Sequence, residues 1–177
     1  MQTILASSSP RRKELLKKII SDFSVINPDV PEAETGTPEE IARENAIRKG
    51  RSVQGERVIA CDTVVALNGI VYGKPHTEEK AVEMLTALSG RTHEVLSGLY
   101  VRIGQKEYIS VERSEVTFRS LTKERILEYV SACRPLDKAG AYGIQDGYVV
   151  LSYKGSYDNI VGLPTERLQE ILEGECQ

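Results

Sequence analysis

The sequence predicts an α/β fold in which helices cover a mixed β-sheet. Short apolar segments alternate along the chain with amphipathic segments at helical spacing, which is the pattern of strands alternating with helices. Two pairs of strand segments also join through tight turns, at Asn68-Gly69 and at Gly104-Gln105, and strands joined in this way run antiparallel. Because helical crossovers and hairpins occur together, we expect a sheet with both parallel and antiparallel strands. We expect one domain, residues 1–177.

In the first half of the chain, the predicted helices have recognisable starts. Pro10 follows three serines and precedes Leu15 and Leu16 at helical spacing, so a helix begins after the serine loop. The segment 37–40, Thr-Pro-Glu-Glu, is a capping box with proline at the first helical position. The predicted elements are strands at 3–6 and 23–26, helices at 10–20 and 37–50, strands at 57–67 and 70–72, and a helix at 77–90.

In the second half, long strands come first and irregular segments follow. A second hairpin turns at Gly104, and an amphipathic helix succeeds it. Glycine-rich sequence after residue 137 then interrupts the regular elements, which indicates loops. The predicted elements are strands at 93–103 and 108–118, a helix at 122–130, a loop at 137–147, a strand at 148–153, a loop to 164 and a helix at 165–173.

Composition and charge exclude several classes of protein. With 40% hydrophobic residues, 23 Lys plus Arg and 26 Asp plus Glu, the chain is neither disordered nor fibrous. The formal net charge of −3 gives no general attraction to nucleic acid or to a membrane surface. Cys61, Cys133 and Cys176 are widely spaced and predict neither a disulfide framework nor a zinc site. Without a signal peptide or a long apolar run, we expect a cytoplasmic protein.

The start of the first helix is unusual because it is cationic. Arg11, Arg12 and Lys13 occupy the first turn, where the helix dipole favours anions, whereas the predicted helices at 37–50, 77–90 and 165–173 begin with acidic residues. Serine hydroxyls, free backbone amides and two guanidiniums after a strand would suit a phosphate group, with Ser7 and Ser9 among the ligands. The alternative is that the three cations simply extend into solvent. We favour the anion site.

Asp62 interrupts the most apolar strand of the chain. By alternation its side chain shares a face with Val58, Ala60, Val64 and Ala66, where an unpaired carboxylate is costly. Such a carboxylate would serve as a general base or as a metal ligand. A structural aspartate satisfied by backbone amides at a bulge is equally compatible with the sequence.

Other candidate ligands lie in loops. Lys74 follows Gly73 after the first hairpin, although no Walker A motif surrounds it. Glu32 lies in an acidic loop that would offer oxygen ligands to a divalent cation, or that is simply solvated. The loop at 137–147 combines small residues with Lys138 and Gln145, whose amide can pair with a base edge or cap a turn. We interpret His93 as a structural or an exposed strand residue rather than a ligand, because no second histidine lies near it and the only other one is His76.

Taken together, these motifs make the chain resemble the Maf family of nucleoside triphosphate pyrophosphatases. The resemblance runs in one order from about residue 3 to residue 165. The motifs are Ser7-Ser8-Ser9-Pro10-Arg11-Arg12, Cys61-Asp62-Thr63-Val64-Val65, Tyr72-Gly73-Lys74-Pro75, Ser89-Gly90-Arg91-Thr92-His93, Lys138-Ala139-Gly140-Ala141-Tyr142-Gly143-Ile144-Gln145 and Val161-Gly162-Leu163-Pro164.

The resemblance implies an ITP-pyrophosphatase-like, bilobed fold with a central cleft. It also implies hydrolysis of a nucleoside triphosphate, with dTTP and UTP favoured, to the monophosphate and pyrophosphate with Mg²⁺ or Mn²⁺. The partner would be a small nucleotide rather than nucleic acid or a membrane. Whether the protein forms a homodimer is left open. The implied roles are Asp62 as catalytic base; Arg11, Thr63 and Gln145 for specificity; Ser7, Ser9, Arg12, Lys74 and Lys138 for phosphate; and Glu32 with Asp62 for metal.

The chain departs from the family pattern at three places. Asn45 stands where relatives carry a phosphate-binding lysine, and Lys49 follows on the same helical face. Cys133-Arg134-Pro135 replaces the usual Gly-Glu-Pro, and Asp146 replaces the glycine after Gln145. The loss of lysine at position 45 favours an alternative function, a nucleotide-binding regulator of cell division with little turnover.

Overall fold

The computed structural model of the chain describes residues 1–174 and has the predicted α/β fold. Of the three cysteines, Cys61 and Cys133 are free thiols, and Cys176 lies outside the described residues. Within residues 1–174, no helix combines the length and the apolar content that a bilayer crossing requires.

One mixed sheet forms the centre of the fold. Within the described residues it has seven strands in the order β2-β1-β3-β5-β6-β7, and β4 pairs with the end of β3. β1 is parallel to both of its neighbours, whereas β3, β5, β6 and β7 pair antiparallel in succession. The strands are β1 (Thr3–Ala6), β2 (Ser24–Ile26), β3 (Arg57–Leu67), β4 (Ile70–Tyr72), β5 (Thr92–Ile103), β6 (Lys106–Phe118) and β7 (Val150–Lys154).

The predicted helices begin where expected, and the structure contains one further α-helix that the sequence did not indicate. Tyr157–Val161 was predicted to be loop, but it forms a short helix that Ser156 caps through the backbone N–H of Asn159 (3.0 Å). Five residues are too few to produce an apolar period. The helices are α1 (Pro10–Lys17), α2 (Pro38–Arg51), α3 (Glu78–Leu88), α4 (Lys123–Cys133), α5 (Tyr157–Val161) and α6 (Thr165–Gly174).

Alternate residues of β3 contact helices on opposite faces of the sheet. On one face, Val58 and Ala60 pack with α2 residues such as Ala46, which confirms the predicted face of Asp62. On the other face, Ile59 packs with α1 and α6, and Val65 packs with α3 and α4 further along the strand. β3 therefore carries functional side chains between apolar layers that fix its position.

Helix α2 lies unusually close to the sheet because β5 has a glycine beneath it. A Cβ atom on Gly98 would overlap the backbone carbonyl of Ala42 and the amide of Arg43. A second glycine, Gly50, accommodates the buried ring of Tyr100 in the same way. This close approach brings the inner side chains of α2 within hydrogen-bonding distance of β3.

Candidate active site

All ten residues predicted for the site line one cleft. Its volume is about 620 Å³, and its lining comes from the segment that follows β1 and from the middle of β3, together with the loop at 137–147. Several cations and the carboxylates of Glu32 and Asp62 therefore face the same space. The predicted residues that line it are Ser7, Ser9, Arg11, Arg12, Glu32, Asp62, Thr63, Lys74, Lys138 and Gln145.

The turn from β1 into α1 is cationic, as predicted, but its amides are not all free. No acidic residue lies in the first turn of α1. Ser9 caps the helix by accepting from the backbone N–H of Arg12 (3.5 Å), and the N–H of Ser9 donates to the Ser7 hydroxyl (3.1 Å). The expectation of free amides is thus wrong for these two groups, because serine hydroxyls satisfy helix-terminal donors well. An anion at this turn would rely mainly on the guanidiniums.

The two arginines point to different parts of the cleft. Arg11 reaches the loop at 137–147, where its guanidinium lies 3.4 Å from the Asp137 carboxylate. Arg12 donates to the Gly162 carbonyl (2.7 Å) and to the Thr63 hydroxyl (3.1 Å). Successive helical residues diverge by about 100°, so one ligand group does not meet both side chains equally.

Asp62 is paired from two positions on α2. The Lys49 ammonium lies 2.5 Å from one carboxylate oxygen, and the Asn45 amide donates to the other (3.2 Å). Only 8% of Asp62 is exposed, so these donors offset the cost of burying a charge on the apolar face. The bulge-type pairing with backbone amides considered above is not what the structure contains.

Glu32 shares the same ammonium. Its carboxylate lies 2.7 Å from Lys49 Nζ. Partial burial favours a higher pKa for Glu32, but the hydrogen bond and charge of Lys49, with Lys74 and Arg12 nearby, hold the pKa below its ordinary value. Two ionised side chains from different segments therefore converge on one cation.

The positions of the Glu32 and Asp62 carboxylates indicate whether a divalent cation fits the cleft. Glu32 and Asp62 each place an oxygen within 2.7 Å of one positive centre. Mg²⁺ is commonly held by one or two carboxylates together with substrate phosphates. No group of three or more His, Cys, Asp or Glu side chains suited to a metal occurs among residues 1–174. The donor set therefore fits a cation that completes its coordination with nucleotide and water.

Asn45 has a role that the loss of lysine at this position did not suggest. Its side-chain oxygen accepts from the backbone N–H of Ala33 (2.6 Å), and its amide nitrogen contacts both the Ala33 carbonyl (3.4 Å) and Asp62. Lys49, one turn further along α2, donates to the same Asp62 carboxylate. Helical side chains lean toward the amino terminus, so a long side chain at 49 covers the surface beside residue 45.

The loop at 137–147 is fixed from beneath by aromatic and backbone contacts. His93 Nε2 lies 2.8 Å from the Tyr142 hydroxyl, and both rings pack edge-on against Phe118. The backbone N–H of Gly140 donates to the Gly73 carbonyl (3.2 Å), which brings the segment of Lys74 to the loop. His93 is 99% buried, so of the two alternatives, a structural or an exposed strand residue, the structure contains the structural one.

The carbonyl of Gly162 organises the site, a role that the motif containing Gly162 did not indicate. It accepts from Arg12 Nε (2.7 Å), from the Cys61 thiol (3.2 Å) and from the Thr63 hydroxyl (3.4 Å). Thr63 also shares a hydrogen bond with Ser97 (2.8 Å). A backbone carbonyl is present at every residue, so no residue type marks one that organises a site.

Burial of His93 predicts a specific dependence of stability on pH. Burial lowers the pKa of His93 from 6.5 to about 4, so between these values the unfolded chain binds a proton that the folded chain does not. The contribution of His93 to the free energy of unfolding is therefore fully present above pH 6.5 and declines as the pH falls toward 4. At 1.36 kcal/mol per pKa unit, the total loss is about 3 kcal/mol. Urea unfolding at pH 7.5 and at pH 4.5 measures this change in the free energy of unfolding.

The matched variant for this measurement is His93→Gln. Glutamine can also form a hydrogen bond with the Tyr142 hydroxyl but does not titrate, so the unfolding free energy of the variant should change less with pH. Equal pH dependence in the two proteins would show that His93 does not contribute.

Comparison with known proteins gives consistent matches. A family model described as Maf-like protein matches residues 2–175. A dTTP/UTP pyrophosphatase of Thermococcus gammatolerans is 45% identical over 175 residues, covering 96% of this chain and 95% of that protein. A dTTP/UTP pyrophosphatase of Carboxydothermus hydrogenoformans is 46% identical over 181 residues, covering 97% of each chain.

Among solved structures, the chain is similar to the Staphylococcus aureus Ham1 protein. The TM-score is 0.58 at 23% identity, and the alignment covers 99% of this chain and 100% of that one. The likeness concerns the fold, and it confirms the predicted class, a mixed sheet flanked by helices.

Proposed function

The chain belongs to the Maf-like protein family, and from this premise we propose that it hydrolyses dTTP and UTP to the nucleoside monophosphate and pyrophosphate. Relatives that match it over nearly their full length carry the name dTTP/UTP pyrophosphatase. The activity removes nucleotides from the pool as a housecleaning function, and modified pyrimidine nucleotides are further candidate substrates. The protein is accordingly a hydrolase of the α–β phosphoanhydride.

The observation that carries this proposal is the arrangement of charge in the cleft. Arg11, Arg12, Lys74 and Lys138 line the same cleft as the Asp62 carboxylate. Cleavage between the α and β phosphates requires neutralisation of the charge that develops on pyrophosphate, together with a group that orients water. The cleft supplies both kinds of group side by side.

In the proposed mechanism, Asp62 orients the attacking water and accepts its proton. Lys49 and Asn45 hold the carboxylate in place, because each donates to a different oxygen. Arg12 and Lys74 bind the phosphates and neutralise the leaving pyrophosphate. Glu32 and Asp62 would hold Mg²⁺ or Mn²⁺, which supplies further charge neutralisation when bound. Arg11, Thr63 and Gln145 contact the nucleoside.

The alternative function, a nucleotide-binding regulator with little turnover, rested on the absence of a phosphate-binding lysine at position 45. Asn45 and Lys49 both donate to the Asp62 carboxylate instead, and the relatives carry the name dTTP/UTP pyrophosphatase. No observation now favours the regulator. We propose a cytoplasmic protein that acts on free nucleotides. Two further predictions stand: a single domain over residues 1–177, and a homodimer.

The test of the proposed function is the identity of the product. With Mg²⁺ or Mn²⁺, the protein should release pyrophosphate, and not orthophosphate, from dTTP and UTP. An enzyme-coupled pyrophosphate assay run beside a phosphate assay separates the two products. Release of orthophosphate alone, or of nothing from any nucleoside triphosphate, would overturn the proposal.

The different directions of Arg11 and Arg12 predict different mutant phenotypes. Arg11→Ala should reduce the preference for UTP over CTP, because it removes a donor-only group beside the loop that carries Gln145. Arg12→Ala should slow all nucleotides by a similar factor, because we assign Arg12 to the phosphates together with Ser7, to whose hydroxyl it donates (3.4 Å). The measurement is kcat/KM for UTP, dTTP, CTP and GTP, compared as ratios.

Lys13→Ala is the matched control, since Lys13 is an exposed cation on the same turn and does not line the cleft. If Arg11→Ala and Arg12→Ala reduce every rate by the same factor, the two arginines do not divide recognition from phosphate binding.

A further inference from the structure

Tyr129 on α4 supports the turn that carries Gln145. Its ring is fully buried and stacks on Tyr148 at 5.3 Å between ring centroids. Its hydroxyl accepts from the backbone N–H of Gly143 (3.0 Å) and donates to the Asp146 carboxylate (2.6 Å). The phenol oxygen therefore joins the two ends of the segment 143–146.

The direction of both hydrogen bonds is fixed by chemistry. The backbone N–H of Gly143 can only donate, so the Tyr129 hydroxyl accepts from it and gives its single proton to the Asp146 carboxylate. Burial, then the hydrogen bond to Asp146, raises the pKa of Tyr129, so the phenol keeps this proton. The hydroxyl thus donates one hydrogen bond, to Asp146, and accepts one, from Gly143.

The turn between these contacts presents Gln145 to the cleft. A 3₁₀ turn covers Ile144–Asp146, and the N–H of Asp146 donates back to the Gly143 carbonyl (3.1 Å). Gln145 is exposed and lines the cleft, whereas Gly143 is buried. The position of the Gln145 side chain therefore depends on the backbone that Tyr129 holds.

Other anchors hold the rest of the loop independently. Tyr142 is bound to His93 and Gly140 to Gly73, so the segment before Gly143 does not depend on Tyr129. Removing the hydroxyl would leave the buried N–H of Gly143 unsatisfied, which costs about 1–3 kcal/mol and favours a shift of the turn toward solvent. The disturbance should thus be confined to the turn.

We propose that Tyr129 is a positioning residue that sets nucleotide preference by holding the turn 143–146 in one conformation. The proposal rests on the proposed function and extends it. An amide can present either its oxygen or its nitrogen to a base, so discrimination by Gln145 requires a fixed distance and direction. Asp146 shares in this role, as the acceptor for the Tyr129 proton.

Tyr129→Phe tests the proposal, and Tyr148→Phe is the matched control. Both changes remove one phenol hydroxyl, but that of Tyr148 donates to Glu128 (2.8 Å), away from the turn. With Tyr129→Phe, the ratio of kcat/KM for UTP to that for CTP should fall about tenfold, while kcat for UTP stays within about threefold. Tyr148→Phe should leave the ratio unchanged.

If Tyr129→Phe does not fold, variants at Asp146 still test the proposal, because the side chain of Asp146 is exposed. Asp146→Asn keeps an acceptor for the phenol and should preserve the ratio, whereas Asp146→Ala should lower it. Hydrogen exchange of the Gly143 amide should accelerate in Tyr129→Phe and not in Tyr148→Phe.

The outcomes separate this proposal from the proposed function. If the wild-type protein releases no pyrophosphate, the proposed function fails, and accelerated exchange at Gly143 in Tyr129→Phe still tests the positioning of the turn. If the wild-type protein is active, an unchanged UTP-to-CTP ratio in Tyr129→Phe overturns the proposal. An equal loss on every nucleotide with a lowered melting temperature also overturns it, because the role is then only structural.

Discussion

Asp62→Asn is expected to reduce kcat for UTP by about 10²-fold or more, the scale of a lost general base. The change preserves size but removes the charge and one of two acceptors. Both neighbours of Asp62, Lys49 and Asn45, are donors, so the new NH₂ group must face one of them. We therefore also expect a small loss of thermal stability, with the protein remaining folded.

Asp22→Asn is the control for this measurement, because Asp22 is exposed and lies outside the cleft. Circular dichroism of both variants establishes that they are folded before kcat is compared. Near-normal turnover in Asp62→Asn would mean that Asp62 has a structural role only, and another group would have to act on the water.

Gly98→Ala is expected to lower the free energy of unfolding by about 3 kcal/mol, the upper part of the usual range for overpacking. The added methyl group would overlap the backbone of α2 at Ala42 and Arg43, which has no flexible end that can move aside. Displacement of α2 would also move Asn45 and Lys49 away from Asp62. We therefore expect pyrophosphate release to fall even where the variant is folded.

Gly174→Ala is the control, since within residues 1–174 no heavy atom outside the backbone of its own helix lies within 4 Å of a Cβ at that position. Chemical unfolding and pyrophosphate release are measured for both variants. A Gly98→Ala protein with wild-type stability would show that α2 can move away from β5 at little cost.

The parts of the fold with explicit local signals could be predicted from the sequence. The capping box at Thr37 has both of its hydrogen bonds, and the turn at Asn68-Gly69 has positive φ angles at both residues. The alternation of β3 placed Asp62 on the correct face. In each case the determinant lies within a few residues, where steric and hydrogen-bonding rules act directly.

Features that depend on distant segments could not be predicted in the same way. Lys49, Glu32 and Asp62 come from a helix, a loop and a strand, and only packing shows that one ammonium joins both carboxylates. Helix α5 is too short for periodicity, and the Gly162 carbonyl has no residue-type signature. The serines after β1 suggested free amides, but their hydroxyls bind those amides instead.

The parallel pairing of β1 with β3 constrains the order in which the chain can fold. Ile4 pairs with Val58, across α1, β2 and α2, whereas β5 and β6 join through a turn at Gly104. Closing the longer segment costs more chain entropy, so the hairpin can form while β1 is still unpaired. We therefore expect the cationic turn after β1, although it is synthesised first, to become ordered only after β3 has been made.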